Sequence, residues 1–177
     1  MKKIYLLLFS ALSFSGFSQT ITKAANDYLS GNMINSKNLV GTPDNSAVGA
    51  GVTFNNSALT NGTLVVAMVT TPTAADISTF PGTTVKFDDG NGNNIYYKSS
   101  ATQLEITGAG ISGAVLNFNG DNAIFLKFPT SFGNTYSDTA KGTFSNGTVS
   151  GLFKGTIATT ADATGTLLLG SQTFANI

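Results

Sequence analysis

From Gly51 onward, short runs rich in Val, Ile, Phe, Tyr and Thr return about every ten residues: "GVTF", "GTLVVAMVT", "TTVKFD", "NIYYKS", "TQLEIT", "AVLNF", "AIFLKF", "GTFSN", "GLFKGTIATT", "GTLLL" and "QTFANI". Several alternate internally. Val85 and Phe87 oppose Lys86 and Asp88, and Ile124, Leu126 and Phe128 oppose Phe125 and Lys127. A period of two is that of a strand with one packed and one wet face. The links "DDGNGNN", "NGDN", "SNG" and "GSQ" carry residues that tolerate positive φ, so neighbouring runs are expected to pair as hairpins. The predicted fold is therefore all-β, an antiparallel meander forming a sandwich or an open barrel. The one helical signal, "AANDYL" at Ala24 to Leu29, stops at Gly31.

The amino terminus reads differently. Lys2 and Lys3 precede an apolar run from Ile4 to Phe17, and Gly16 and Ser18 stand at minus three and minus one before Gln19. This is the layout of a secretory signal peptide cleaved after Ser18. The run is shorter than the roughly 20 apolar residues a membrane-spanning helix needs. The expected organisation is a signal peptide at 1–18, a loop-rich segment at 19–50 and the β-domain at 51–177. The expected location is extracellular or at the cell surface.

Composition narrows the chemistry. Removing the signal leaves 177 − 18 = 159 residues, enough to bury a core without disulfides or metal. Nine lysines and no arginine face eight aspartates and one glutamate, and loss of Lys2 and Lys3 takes the balance to 7 − 9 = −2. Nucleic acid and anionic membranes reward clustered Lys and Arg, so neither is an expected partner. With no His, Cys or Arg, the chain lacks the commonest general base, the thiol nucleophile and the soft-metal ligands. No "SxxK" or "GxSxG" motif is present.

Four residues and one glutamate invite a functional reading. In "FDDGNGNN", Asp89, Asn91 and Asn93 alternate like the first ligands of an EF-hand loop, and Asp88 and Asp89 are the candidate calcium ligands. Asn94 stands where that loop needs glycine, and Ser100 where it needs glutamate. The competing reading is a hairpin turn bent at Gly90 and Gly92, with no cofactor. Tyr96 and Tyr97 are adjacent in one strand, so one should face outward, where a tyrosine can stack on a sugar ring. Glu105 with any one aspartate across a cleft would supply the two carboxylates that a glycoside hydrolase needs. In "TQLEIT", alternation makes it an outward strand residue.

The stretches "FSQTITKA", "GVTFNNSALT", "FPGTTVKF", "YYKSSATQLEITG", "FLKFPTSFGNTYSDTAKGTF" and "GTIATTADATGTLLLGSQTFANI", in that order, resemble a group of uncharacterised secreted proteins of flavobacteria and other Bacteroidetes. Phe54 stands where those proteins often carry tryptophan. The resemblance implies a carboxy-terminal sorting domain for type IX secretion after this region, and because the sequence stops at Ile177 inside the expected last hairpin, the chain is expected to be a fragment or a truncated gene product. The favoured function is a non-catalytic extracellular β-domain, a structural or recognition module with a cell-surface or glycan partner. A calcium-dependent or glycan-binding module is the alternative, and a carboxylate-only hydrolase the third reading.

Overall fold

The computed structural model describes residues 19–177, so the expected signal peptide lies outside the described residues. The chain opens with a short helix α1 (Lys23–Asn26) and strands β1 (Met33–Val40), β2 (Gly49–Asn56) and β3 (Thr60–Thr70). A second short helix, α2 (Ala74–Thr79), precedes β4 (Val85–Asp88), β5 (Asn94–Ser99), β6 (Gln103–Ile111) and β7 (Ala114–Asp121). Strands β8 (Ala123–Lys127), β9 (Thr135–Ser145), β10 (Ser150–Thr160), β11 (Ala163–Leu169) and β12 (Gln172–Ala175) complete it. The all-β expectation holds. The helical turn sits at Lys23–Asn26, slightly ahead of its expected place, and the segment read as loops also carries β1.

Two sheets form a sandwich-like arrangement that does not close into a barrel. The larger follows the order β1-β3-β4-β5-β6-β7-β9-β10, with β8 also on β6, and every pair in it is antiparallel. The smaller has the order β12-β11-β2. Its β11–β2 ladder is parallel, which departs from the expected meander. Parallel pairing needs a long crossover rather than a hairpin, and here the larger-sheet strands β3 to β10 intervene in sequence between the two strands.

Three of the four expected turns are hairpins. The loop after Asp88 returns to Asn94, Ser145 pairs with Ser150, and Leu169 pairs with Gln172. "NGDN" is different: β7 and β8 do not pair with each other but lie end to end along β6. Val115 to Asp121 then ladder with β9, with a register break between Asn117 and Asp121. A further hairpin joins Ile111 to Ala114, with both Ser112 (φ 50°) and Gly113 (φ 82°) left-handed, as a two-residue type I′ turn requires.

The main core lies on one face of β3–β6 and β8, where Val69, Val85, Tyr97, Leu104 and Phe128 are buried together. Ile21 and Tyr28 of the amino-terminal segment cover it. Tyr28 packs on Phe87 and Tyr97 with ring centroids 5.1 and 5.2 Å apart. The other face of the same strands is roofed by the α2 segment, whose Phe80 stacks on Tyr96 at 4.2 Å. Buried hydroxyls of Thr83 and Thr107 join that roof to β6 at 2.7 Å.

Candidate functional site

The acidic loop is occupied by its own amides. Asp88 accepts from the Gly90 N–H at 2.9 Å. Asp89 Oδ1 accepts from the N–H groups of Asn91 and Asn93 at 2.8 and 3.0 Å, and its Oδ2 from Asn93 Nδ2 at 2.7 Å. The Asn93 side chain, followed by those N–H groups, holds the Asp89 carboxyl below the usual carboxylate range. Gly90 (φ 74°) passes so close to β3 that a Cβ would lie 2.3 Å from the Val66 carbonyl oxygen. This is the chemistry of a tight Asx-type turn. Among the described residues, no three Asp, Glu, His or Cys side chains converge as a metal site.

The tyrosines depart from the alternation argument. Tyr96 and Tyr97 do face opposite sides, but Tyr96 is 7% and Tyr97 2% exposed. Both faces of β5 are covered at this point, one by the amino-terminal segment and the other by α2, so neither ring is available to stack on a sugar. The Tyr96 hydroxyl faces the Asp76 carboxylate, and Lys86 Nζ stands 5.5 Å from its ring centroid. Burial, then that carboxylate, pushes the Tyr96 hydroxyl up to about 12. Burial and the neighbouring Tyr28 push Tyr97 upward too.

Asp76 is the hub beneath α2, and it went unnoticed in the sequence. It closes a capping box with Thr73, accepting from the Thr73 N–H and hydroxyl at 2.8 Å each, while its own N–H bonds Thr73 Oγ1 at 3.1 Å. Lys86 lies 3.7 Å from it. Burial raises the Asp76 carboxyl, but the bonds from Thr73, the neighbouring Tyr96 hydroxyl and the charge of Lys86 outweigh it and leave the group below the usual value. The spacing "TAAD", Thr73 to Asp76, was the available signal, since a threonine followed three residues later by an acid caps a helix.

Glu105 is similarly engaged. Asn122 Nδ2 donates to it at 3.0 Å, Gln103 Nε2 also donates, and Lys98 Nζ is 3.4 Å away. Burial raises its carboxyl, yet these donors lower it further. A general acid needs the opposite shift.

One cluster brings together groups that the sequence keeps apart. Ser99 on β5 donates to Asp27 Oδ1 at 2.8 Å, and Lys23 of α1 donates to both Asp27 and Ser99. The set looks like a serine with a lysine partner. Here, however, Lys23 is an ammonium in an ion pair with Asp27, the reverse of the free amine that activates a nucleophile. Its geometry instead clamps the amino-terminal segment to the sheet.

What remains open is the outer half of the α2 face. Where α2 ends, Asn117 Nδ2 bonds the Thr79 carbonyl at 2.6 Å, while Asn117 Oδ1 is buried without a partner. Beyond it, β7, β9 and β10 present two adjoining grooves of ≈ 430 and ≈ 390 Å³ that share Thr143 and Leu152. Leu152 is 84% exposed. Compared with protein-family models, curated proteins and solved structures, the chain matches none.

Proposed function

We propose that this chain is a non-catalytic, exported β-domain that acts as a recognition or structural module outside a bacterial cell. The observation that carries this reading is the uncovered half-face of β7, β9 and β10, whose two grooves share the exposed Leu152 on the edge strand. An exposed apolar surface of this kind, rimmed by polar side chains, marks an interaction site. Export is supported by Lys2, Lys3, the apolar run to Phe17 and the small residues before Gln19. The resemblance to secreted Bacteroidetes proteins agrees with it. The groups that could do chemistry support recognition over turnover: Asp76, Asp89, Glu105 and the Lys23–Asp27–Ser99 cluster are each held in bonds that stabilise local structure.

The test is expression of the full chain in a bacterial host with cell fractionation. Exported protein is expected to begin at Gln19 and to bind isolated bacterial envelopes, and it is expected to leave chromogenic glycosides and esters unhydrolysed. Retention in the cytoplasm with Met1 intact, absence of envelope binding, or hydrolysis lost on Glu105→Gln, would each defeat the reading.

A further inference from the structure

We propose that the free edge of β10, with the open face beside it, receives an extended peptide strand bearing an acidic residue. This deepens the recognition reading and rests on it. β10 ends the larger sheet and pairs only with β9, so its eleven-residue outer edge has no ladder partner among the described residues. Such an edge is a template for an added strand. Its ladder with β9 runs from Ser150 to Thr160 without a register break, whereas the opposite edge, β1, is broken between Lys37 and Leu39. An even ladder offers an added strand the longer template.

Side chains on this edge define the partner. Leu152 and Lys154 lie two residues apart and share the open face, while Phe153 between them turns to the other side and packs edge-on against Phe118 at 4.9 Å. Lys154 stands directly opposite Lys141, a like-charge pair that disfavours the free face. Neither lysine has an ion-pair partner within 4.0 Å among the described residues. Asp121, across from Lys141 on β7, accepts instead from Thr139 Oγ1 at 2.7 Å. A strand with an acidic residue beside Lys154 and an apolar one beside Leu152, two positions apart, satisfies both.

A second copy fits poorly. Antiparallel β10–β10 pairing about Gly155 would bring two Lys154 side chains within about 8 Å on one face, with both Lys141 side chains behind them. A glycan also fits poorly, because Tyr96 and Tyr97 are buried and the Phe153 ring packs onto Phe118 instead of lying open on this face. The lysines thus act as an edge guard that rejects like strands and admits acidic ones.

The test uses mature protein and nine-residue peptides that alternate threonine with isoleucine, the central outward position being Glu, Lys or Gln, followed by fluorescence anisotropy. The Glu peptide is expected to bind about tenfold tighter than the Lys peptide and to weaken with salt. Lys154→Glu should invert the preference, Leu152→Asp should remove binding, and β10 amides should gain hydrogen-exchange protection. Equal binding of the Glu and Lys peptides, no binding of any peptide, or binding without β10 protection overturns the proposal. Binding of polygalacturonate alone would reassign the face to glycans. Envelope binding that survives Leu152→Asp would leave the recognition reading standing and remove this one.

Discussion

Phe80 occupies the space a side chain at residue 108 would fill: a Cβ built on Gly108 would lie 2.0 Å from Phe80 Cδ1. Phe80 is 5% exposed and stacks on Tyr96 at the same spot. The absence of a side chain in β6 is thus what lets the α2 segment lie flat on the sheet, and that roof in turn buries Tyr96.

Phe80→Ala is expected to cost about 3–5 kcal/mol, the range for truncating a buried aromatic. Gly108→Ala forces the ring aside and should cost about 1–3 kcal/mol. The double variant should cost clearly less than the sum, because the new methyl enters space the ring has left. Urea melts of the four proteins decide it, and strict additivity would show that the two residues do not share that space.

Tyr96 provides a pH signature. Its hydroxyl is held up at about 12 against an ordinary 10.0. The folded value is raised, so the stability this group contributes is fully present below about pH 10 and is lost as pH rises towards 12. Ultraviolet titration of Asp76→Asn, which removes the neighbouring negative charge, should show one tyrosine ionising earlier than in the parent protein. Superimposable titration curves would disprove the contact.

Alternation made most strands legible, as in Val85 to Asp88, and glycine placed the turns at Gly90, Gly147 and Gly170 because these positions need positive φ. Pairing between distant strands left no comparable trace. The parallel contact of Leu167 with Phe54 depends on how the whole chain folds back, and nothing local in either run encodes it. The same limit explains Tyr96. Period two correctly sends Tyr96 and Tyr97 to opposite faces, but whether a face is wet depends on α2, a six-residue helix too short to show a periodicity. The same alternation makes Glu105 outward, yet it is half-buried because Gln103, Asn122 and Lys98 gather around it.

Millimolar calcium, the range of weak extracellular sites, is expected to leave the melting temperature unchanged. The Asp89 oxygens already accept three bonds from Asn91 and Asn93, and the loop needs no ion to hold them. The double variant Asp88→Asn with Asp89→Asn should likewise melt at the same temperature with and without calcium. A calcium-dependent rise in the parent protein that this variant lacks would restore the calcium reading.

The clamp at Asp27 should govern whether the main core stays covered. The Asp27 side chain is only 10% exposed and accepts from both Lys23 and Ser99, while the next residue, Tyr28, packs on Phe87 and Tyr97. Asp27→Ala would strand the Ser99 hydroxyl and the Lys23 ammonium without their acceptor, at a cost of about 1–3 kcal/mol. Asp27→Asn keeps an oxygen for Ser99 and should cost less. Lys23→Ala should cost least, because its side chain is 35% exposed and water can replace much of the pair. The effect should also be local: with the clamp open, Tyr28 leaves the sheet, so hydrogen exchange at Tyr97 and Phe87 should quicken before the β9–β10 ladder responds. Limited proteolysis should then cut within residues 19–32 first. Uniform loss of protection across β5 and β10 together would mean that the amino-terminal segment unfolds only with the whole domain, and that Asp27 is not a local clamp.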